Sequence, residues 1–253
     1  MTNSHHDATS RQFGTQAHAY VTSNVHSIGP DLDRIEAIAR EDGGRALDLG
    51  CGGGHVAYRV APHVSEVIAC DLSADMLTAV EAEARRRGLT NVAVRQAPAE
   101  ALPFADASFD LTMCRMSAHH WRDLEAGLRE ARRVTRTGGR VVFIDPVASA
   151  MPLADTHLQT IELLRDPSHV RDYSVAEWTA ALGRAGFTIE AVATHRLRME
   201  FASWIARMRT ADVHVAAIRS LQEGASAEVK SALAIEADGS FLLDIATFEM
   251  VAR

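Results

Sequence analysis

Apolar and polar positions alternate in a regular rhythm through the middle of the chain. Short apolar runs stand at 45–49, 66–70, 92–95, 109–114 and 140–145. Between them, apolar residues recur at helical spacing near 54–62, 73–87 and 121–136, with a looser helical reading for 97–108. A strand can reach a parallel neighbour only through a crossover, so this alternation predicts a doubly wound α/β fold with helices on both sheet faces. Upstream, residues 10–28 carry Phe13, Ala17 and Tyr20 on roughly one face and read as a helix. A second helix is predicted over 31–40 with Asp31 at its N-cap, broken by Glu41-Asp42-Gly43-Gly44.

Beyond 146 the rhythm changes. Ser174 and Glu177 have capping-box spacing, and the helix they open runs through Trp178 and Leu182 to stop at Gly186. A long strand follows over 187–200, then one or two helices within 203–233, then a closing strand over 241–250. No internal repeat or low-complexity linker divides the 253 residues, which read as a single domain.

Composition narrows the classes. A hydrophobic fraction of 47% and a charged fraction of 23% are those of an ordinary globular protein. The formal charge of −7 argues against nucleic-acid binding, which needs a concentrated basic surface. The densest basic cluster, Arg85-Arg86-Arg87, closes a predicted helix, where cations complement the helix dipole. The first residues are polar with no apolar core of a signal peptide, and no run reaches the ~20 apolar residues of a membrane span. Cys51, Cys70 and Cys114 suggest neither a disulfide framework nor a metal knuckle, so a reduced, cytoplasmic protein is expected. No metal is expected either, because neither His5-His6 nor His119-His120 has a carboxylate at ligand spacing.

The most informative stretch is Asp48-Leu49-Gly50-Cys51-Gly52-Gly53-Gly54. A strand, a glycine turn and a helix start here bring bare backbone and unpaired amides to a ligand. A dinucleotide-binding loop is built on similar logic, but its third small residue would fall on His55, and Asp48 has no place in it. About twenty residues on, one βα unit later, a second strand ends in Asp71, placed to accept both hydroxyls of a ribose.

These residues together resemble the class I S-adenosylmethionine (SAM)-dependent methyltransferases. Asp48, Gly50, Gly52 and Gly54 match that family's first motif, and Asp71-Leu72-Ser73-Ala74-Asp75-Met76-Leu77 its second. Ala99-Glu100-Ala101-Leu102-Pro103-Phe104, with Asp106, Ser108, Phe109 and Asp110, and the stretch from Glu130 to Arg140 follow in the family's order. The set is similar to the type 11 branch, which includes ubiquinone and menaquinone biosynthesis methyltransferases. Two positions depart from its pattern: Ala97-Pro98 where relatives carry Gly-Asp, and Thr137 where proline is usual.

The resemblance implies a Rossmann-like, mostly parallel seven-stranded sheet with N-terminal helices and a helical insertion before the last strand. It divides the chain into an N-terminal helical lid (1–44), a SAM-binding core (45–146) and an insertion or lid (203–233). SAM would be held by Asp48, Gly50, Gly52, Asp71, Leu72, Met76, Ala99, Glu100 and the backbone near Arg115, leaving S-adenosylhomocysteine as product. His119, His120 and Trp121 would face the transferred methyl group, with Tyr20 contributing from the N-terminal segment. Because histidine titrates near neutrality, His119 or His120 is the candidate base, His120 slightly favoured. The expected partner is a small-molecule methyl acceptor (quinone-like, phenolic or heteroaromatic) taking methyl on O, C or N. Neither nucleic acid nor a membrane is expected as partner, and a homodimer is compatible with this reading. The rival readings are an NAD(P)-dependent oxidoreductase and a non-catalytic SAM-binding module.

Overall fold

A computed structural model describes residues 4–14 and 29–253. Seven strands form one sheet: β1 (Arg45–Leu49), β2 (Glu66–Asp71), β3 (Val92–Gln96), β4 (Phe109–Arg115), β5 (Thr135–Val147), β6 (Phe187–Met199) and β7 (Phe241–Ala252). Their order is β3-β2-β1-β4-β5-β7-β6. The first five pair in parallel, while β7 runs antiparallel between β5 and β6. The order reverses between β1 and β4, so crossovers leave in opposite directions there. A crevice opens beyond the carboxyl ends of these strands.

Helices cover both faces, and the strands bury side chains to each. Along β5, Val141 and Phe143 join one apolar cluster, while Val142 and Ile144 join the other. One cluster takes Leu32, Ile35 and Ile38 from the helix Pro30–Asp42, and Leu158 and Ile161 from Pro152–Arg165. The opposite cluster takes Leu124 and Leu128 from Leu124–Val134, and Trp178 and Leu182 from Val175–Ala185. Burial on both faces explains why β1, β2, β4 and β5 contain near-continuous apolar runs.

Several expectations need revision. The described part of the first helix is His5–Gly14, which starts before residue 10. Ala17 and Tyr20 lie outside the described residues. The next helix begins at Pro30 behind Gly29, and Asp31 is not its cap. Its carboxylate instead pairs with Arg115 at 2.5 Å, because a nearly buried guanidinium requires a counter-charge. The stretch 97–108 forms turns without a helix. β5 starts at Thr135, earlier than 140, after a register shift opposite Phe109. The capping box at Ser174 and Glu177 forms as read. The arginines 85–87 pair with Glu81 and Glu83 on their own helix. Three helices, Phe201–Met208, Asp212–Gly224 and Ala227–Ala232, fill the chain between β6 and β7. Among the described residues, no helix is long and apolar enough to cross a membrane.

Candidate functional site

The crevice contains two adjoining cavities that share Phe13, Gly50, Gly52, Met116 and His120. One is lined by Asp71, Leu72, Met76, Ala97, Ala99 and Glu100, and has the character of a nucleoside site. The other runs from Asp48 and Gly52 past His119 toward Glu162, Asp166 and Asp172.

At the first cavity the glycine loop follows β1 directly. Gly50 and Gly52 have φ of 69° and 48°, a left-handed backbone that L side chains rarely adopt. A Cβ on Gly50 would lie 1.9 Å from Ser117 Oγ, whereas the space a Cβ would take on Gly52 holds no atom within 4 Å. That open cradle beside backbone amides suits a ligand that lies against the loop. Asp71 is anchored by the same loop: its Oδ2 accepts from Gly52 N and its Oδ1 from Ser73 N, both at 2.9 Å. Burial raises its carboxyl above the usual range, with backbone hydrogen bonds opposing. The Ser73 hydroxyl accepts from Met76 N, so the helix carrying Met76 starts where the acid ends. Asp48 Oδ2 accepts from Ala57 N at 3.0 Å, and burial pushes this carboxyl up to about 7. An acid at each of two strand ends, aliphatic walls and an open glycine cradle fit SAM.

Glu100 is engaged by neighbours. It lies 3.4 Å from His6 Nε2, and its Oε1 accepts from Asp123 N at 3.3 Å. The helix His5–Gly14 thus closes over this end of the crevice. His5 Nε2 donates to the His120 carbonyl at 2.9 Å, and the Phe13 ring meets His120 edge-on at 4.9 Å. Trp121 lines the first cavity and is buried, donating to Ser117 Oγ at 3.4 Å and packing on Phe143. Trp121 therefore stands with the nucleoside wall and does not line the cavity that holds His119. Arg115 lines the second cavity.

The two histidines differ sharply. His119 Nδ1 meets Asp145 Oδ1 at 3.0 Å. Burial alone would depress its pKa, but the Asp145 charge and hydrogen bond, with Asp172 and Glu162, outweigh this and push it up to about 9. At neutral pH His119 is an imidazolium. His120 goes the other way: burial and the His119 charge hold it well below its usual value. Its tautomer follows from its partners. The Ser168 hydroxyl spends its hydrogen on Asp166 Oδ1 at 2.6 Å, and the Ser168 carbonyl can only accept. His120 Nδ1 therefore carries the hydrogen and donates to Ser168 O at 3.1 Å, leaving the lone pair on Nε2. Asp166 Oδ2 stands 4.0 Å from that nitrogen. This neutral imidazole can take a proton, with a carboxylate nearby to stabilise the cation formed.

Sequence reasoning missed the far wall of the second cavity. Glu162 and Arg165 come from the helix Pro152–Arg165, and Asp166 and Asp172, both buried, from the loop after it. Arg165 is a cavity residue that pairs with Glu162 and donates to the Trp204 carbonyl. The available signal was composition, since Asp166-Pro167-Ser168-His169-Val170-Arg171-Asp172 crowds ionisable residues into one loop. Asp145 could have been found as Asp71 was, as an acid ending an apolar strand run.

The profile of the methyltransferase domain family matches residues 47–143. The uncharacterized protein YafE of Escherichia coli is 45% identical over 76% of this chain and 93% of its own. Demethylmenaquinone methyltransferase of Beutenbergia cavernae is 33% identical over 68% of this chain and 76% of its own. In three dimensions the crystal structure of YcgJ from Bacillus subtilis superposes with a TM-score of 0.84 and 32% identity, covering 88% of this chain and 98% of that one.

Proposed function

The chain belongs to the type 11 branch of the class I SAM-dependent methyltransferases, and from that premise we propose a quinone-like, phenolic or heteroaromatic small molecule as its acceptor, methylated on O, C or N. The acceptor lies in the second cavity, and SAM spans both. SAM, when bound, supplies a methyl group already activated by a sulfonium.

On this reading, Asp71 holds the ribose hydroxyls, Leu72, Met76 and Ala99 flank the adenine, Glu100 stands at its edge, and Asp48, Gly50, Gly52 and Arg115 line the path of the methionine portion. His120 receives the acceptor's proton at Nε2, and Asp166 stabilises the charge that results. His119, already protonated and tied to Asp145, acts as a positioning group. The helix His5–Gly14 and the insertion, through Arg207 and Met208, serve as lids that exclude water. A side chain on the N-terminal segment at Tyr20 would add to the first of these.

The observation that carries the proposal is His120, whose neutral imidazole lines both cavities. The demethylmenaquinone methyltransferase relative supports the ring-bearing acceptor class. The test is methyl transfer from isotope-labelled SAM to a panel of hydroquinones, phenols and N-heteroaromatics, comparing wild type with H120A across pH. Label in a ring-bearing product, lost in H120A, is the expected result. Full turnover by H120A at every pH would refute the base assignment, and labelling of none of the panel would refute the acceptor class.

A further inference from the structure

The wall of the acceptor cavity holds a group that neither histidine hydrogen-bonds. Asp172 is 2% exposed and lines the cavity. Its backbone is clamped by one side chain: Asp172 N donates to Gln159 Oε1 at 3.1 Å, and Gln159 Nε2 donates to Asp172 O at 2.7 Å. The carboxyl is thus held in place, yet its Oδ2 is buried with no hydrogen-bond partner among the described residues. Its neighbours are provided for. Asp145 has His119, Asp166 has the amide and hydroxyl of Ser168, and Glu162 has Arg165. Nearby Arg171 turns to Asp155 and Glu177. A fixed, buried oxygen left incomplete in a cavity wall is accounted for by a ligand that completes it.

We propose that Asp172 is a specificity-determining residue whose Oδ2 engages a hydroxyl group of the methyl acceptor. This rests on reading the second cavity as the acceptor site. The surroundings favour a hydroxyl over an ammonium. Glu162 and Arg165 approach from the helix Pro152–Arg165, His119 from the turn after β4, Asp145 from β5, Asp166 from the same loop and Arg207 from Phe201–Met208. Burial and the Glu162 charge push the Asp172 carboxyl up to about 8, with His119 pulling the other way. At neutral pH it is a carboxylic acid, which both donates and accepts. A hydroxyl does the same, whereas an ammonium only donates and would meet the acid's proton and the cations of His119, Arg165 and Arg207.

The test uses the full chain saturated with S-adenosylhomocysteine and three probes of similar size: phenol, toluene and benzylamine. Binding is followed by ligand-observed NMR in wild type, D172N and D172L. Phenol should bind wild type about tenfold more tightly than toluene or benzylamine, the worth of one net hydrogen bond. D172N, which keeps one donor and one acceptor, should retain the preference, and D172L should abolish it. Equal binding of phenol and toluene would overturn the proposal, as would a preference for benzylamine lost in D172N, a phenol preference surviving D172L, or binding of none of the probes. S-adenosylhomocysteine affinity should stay unchanged in both variants. Its absence in wild type would refute the cofactor reading instead, so the two failures are distinguishable.

Discussion

At the cofactor end, the crevice is lined by backbone and aliphatic side chains drawn mostly from one stretch, residues 48–100, under a cover supplied by His5–Gly14. At the acceptor end it is lined by ionisable side chains collected from β4 and its turn, the helix Pro152–Arg165 with its following loop, and the insertion. The first end achieves its shape through turns and strand ends that form locally, so its polar groups, the Glu100–His6 pair apart, are paired within a few residues or across one βα unit. The second end depends on charges buried together, each setting the protonation of the next. Recognition of an invariant cofactor suits the first construction. Discrimination among acceptors suits the second, because a buried, partly unsatisfied polar group penalises any ligand that leaves it unpaired.

This contrast can be broken most severely at His120, which belongs to both ends. H120A should lower kcat by about 10²–10⁴-fold while S-adenosylhomocysteine affinity changes only a few-fold, measured by steady-state kinetics and calorimetry. Equal losses in both would make His120 a cofactor residue. In wild type, kcat should be flat around neutral pH, because His120 is already neutral there, and should fall above about pH 9 as His119 loses its proton. D71A should weaken SAM binding about 10–100-fold, since it removes a charged acceptor that also holds Gly52 N and Ser73 N. The pH profile of bound enzyme should stay unchanged, and a shifted profile would mean that the two ends are coupled.

A smaller effect lies in stability. Folded His119 keeps its proton up to about pH 9, whereas the unfolded chain releases it near 6.5. Between those values the folded state binds more protons, so stability falls as pH rises. Asp48 and Asp172, both raised, act with the same sign through neutrality, while His120 and His169, both depressed, are neutral in both states above 6.5. The urea midpoint should therefore drop from pH 6.5 to 9 by an amount worth about 3–6 kcal/mol, and less steeply in H119Q. A rising midpoint would exclude the imidazolium assignment. The smallest effect expected is a gain: D172L should stabilise the ligand-free protein by about 1 kcal/mol, because it removes a buried carboxyl oxygen without a partner. Thermal denaturation measures it, and destabilisation would mean that Asp172 is structural.

Legibility in the sequence followed the same division. β1, β2 and β4 were readable because each is a run buried on both faces and bounded by turn residues, β3 because Val92 and Val94 alternate toward one cluster, and the helix from Val175 announced itself through Ser174 and Glu177. The start of β5 was not, because its first residues, Thr135 to Gly139, are polar or glycine and pair only across a bulge. The helix Pro152–Arg165 has no side-chain cap, and its apolar stripe is interrupted by Asp155, His157 and Glu162. Asp31 has the composition of a cap, but the helix already begins at Pro30, and the Asp31 carboxylate pairs with Arg115.

What the sequence by itself determined is the cofactor and the sheet that presents it. Asp48, the glycines and Asp71 are placed by turn geometry and the length of one βα unit, both encoded within about twenty-five consecutive residues. What only the tertiary structure decided is which of two adjacent histidines can accept a proton. His119 and His120 are the same residue type one position apart, and their pKa values are driven in opposite directions by Asp145, Ser168 and burial. Those partners lie 26 and 48 positions away in the chain. Electrostatic energies depend on distance in space and on exclusion of water, and neither exists until the fold brings the charges together.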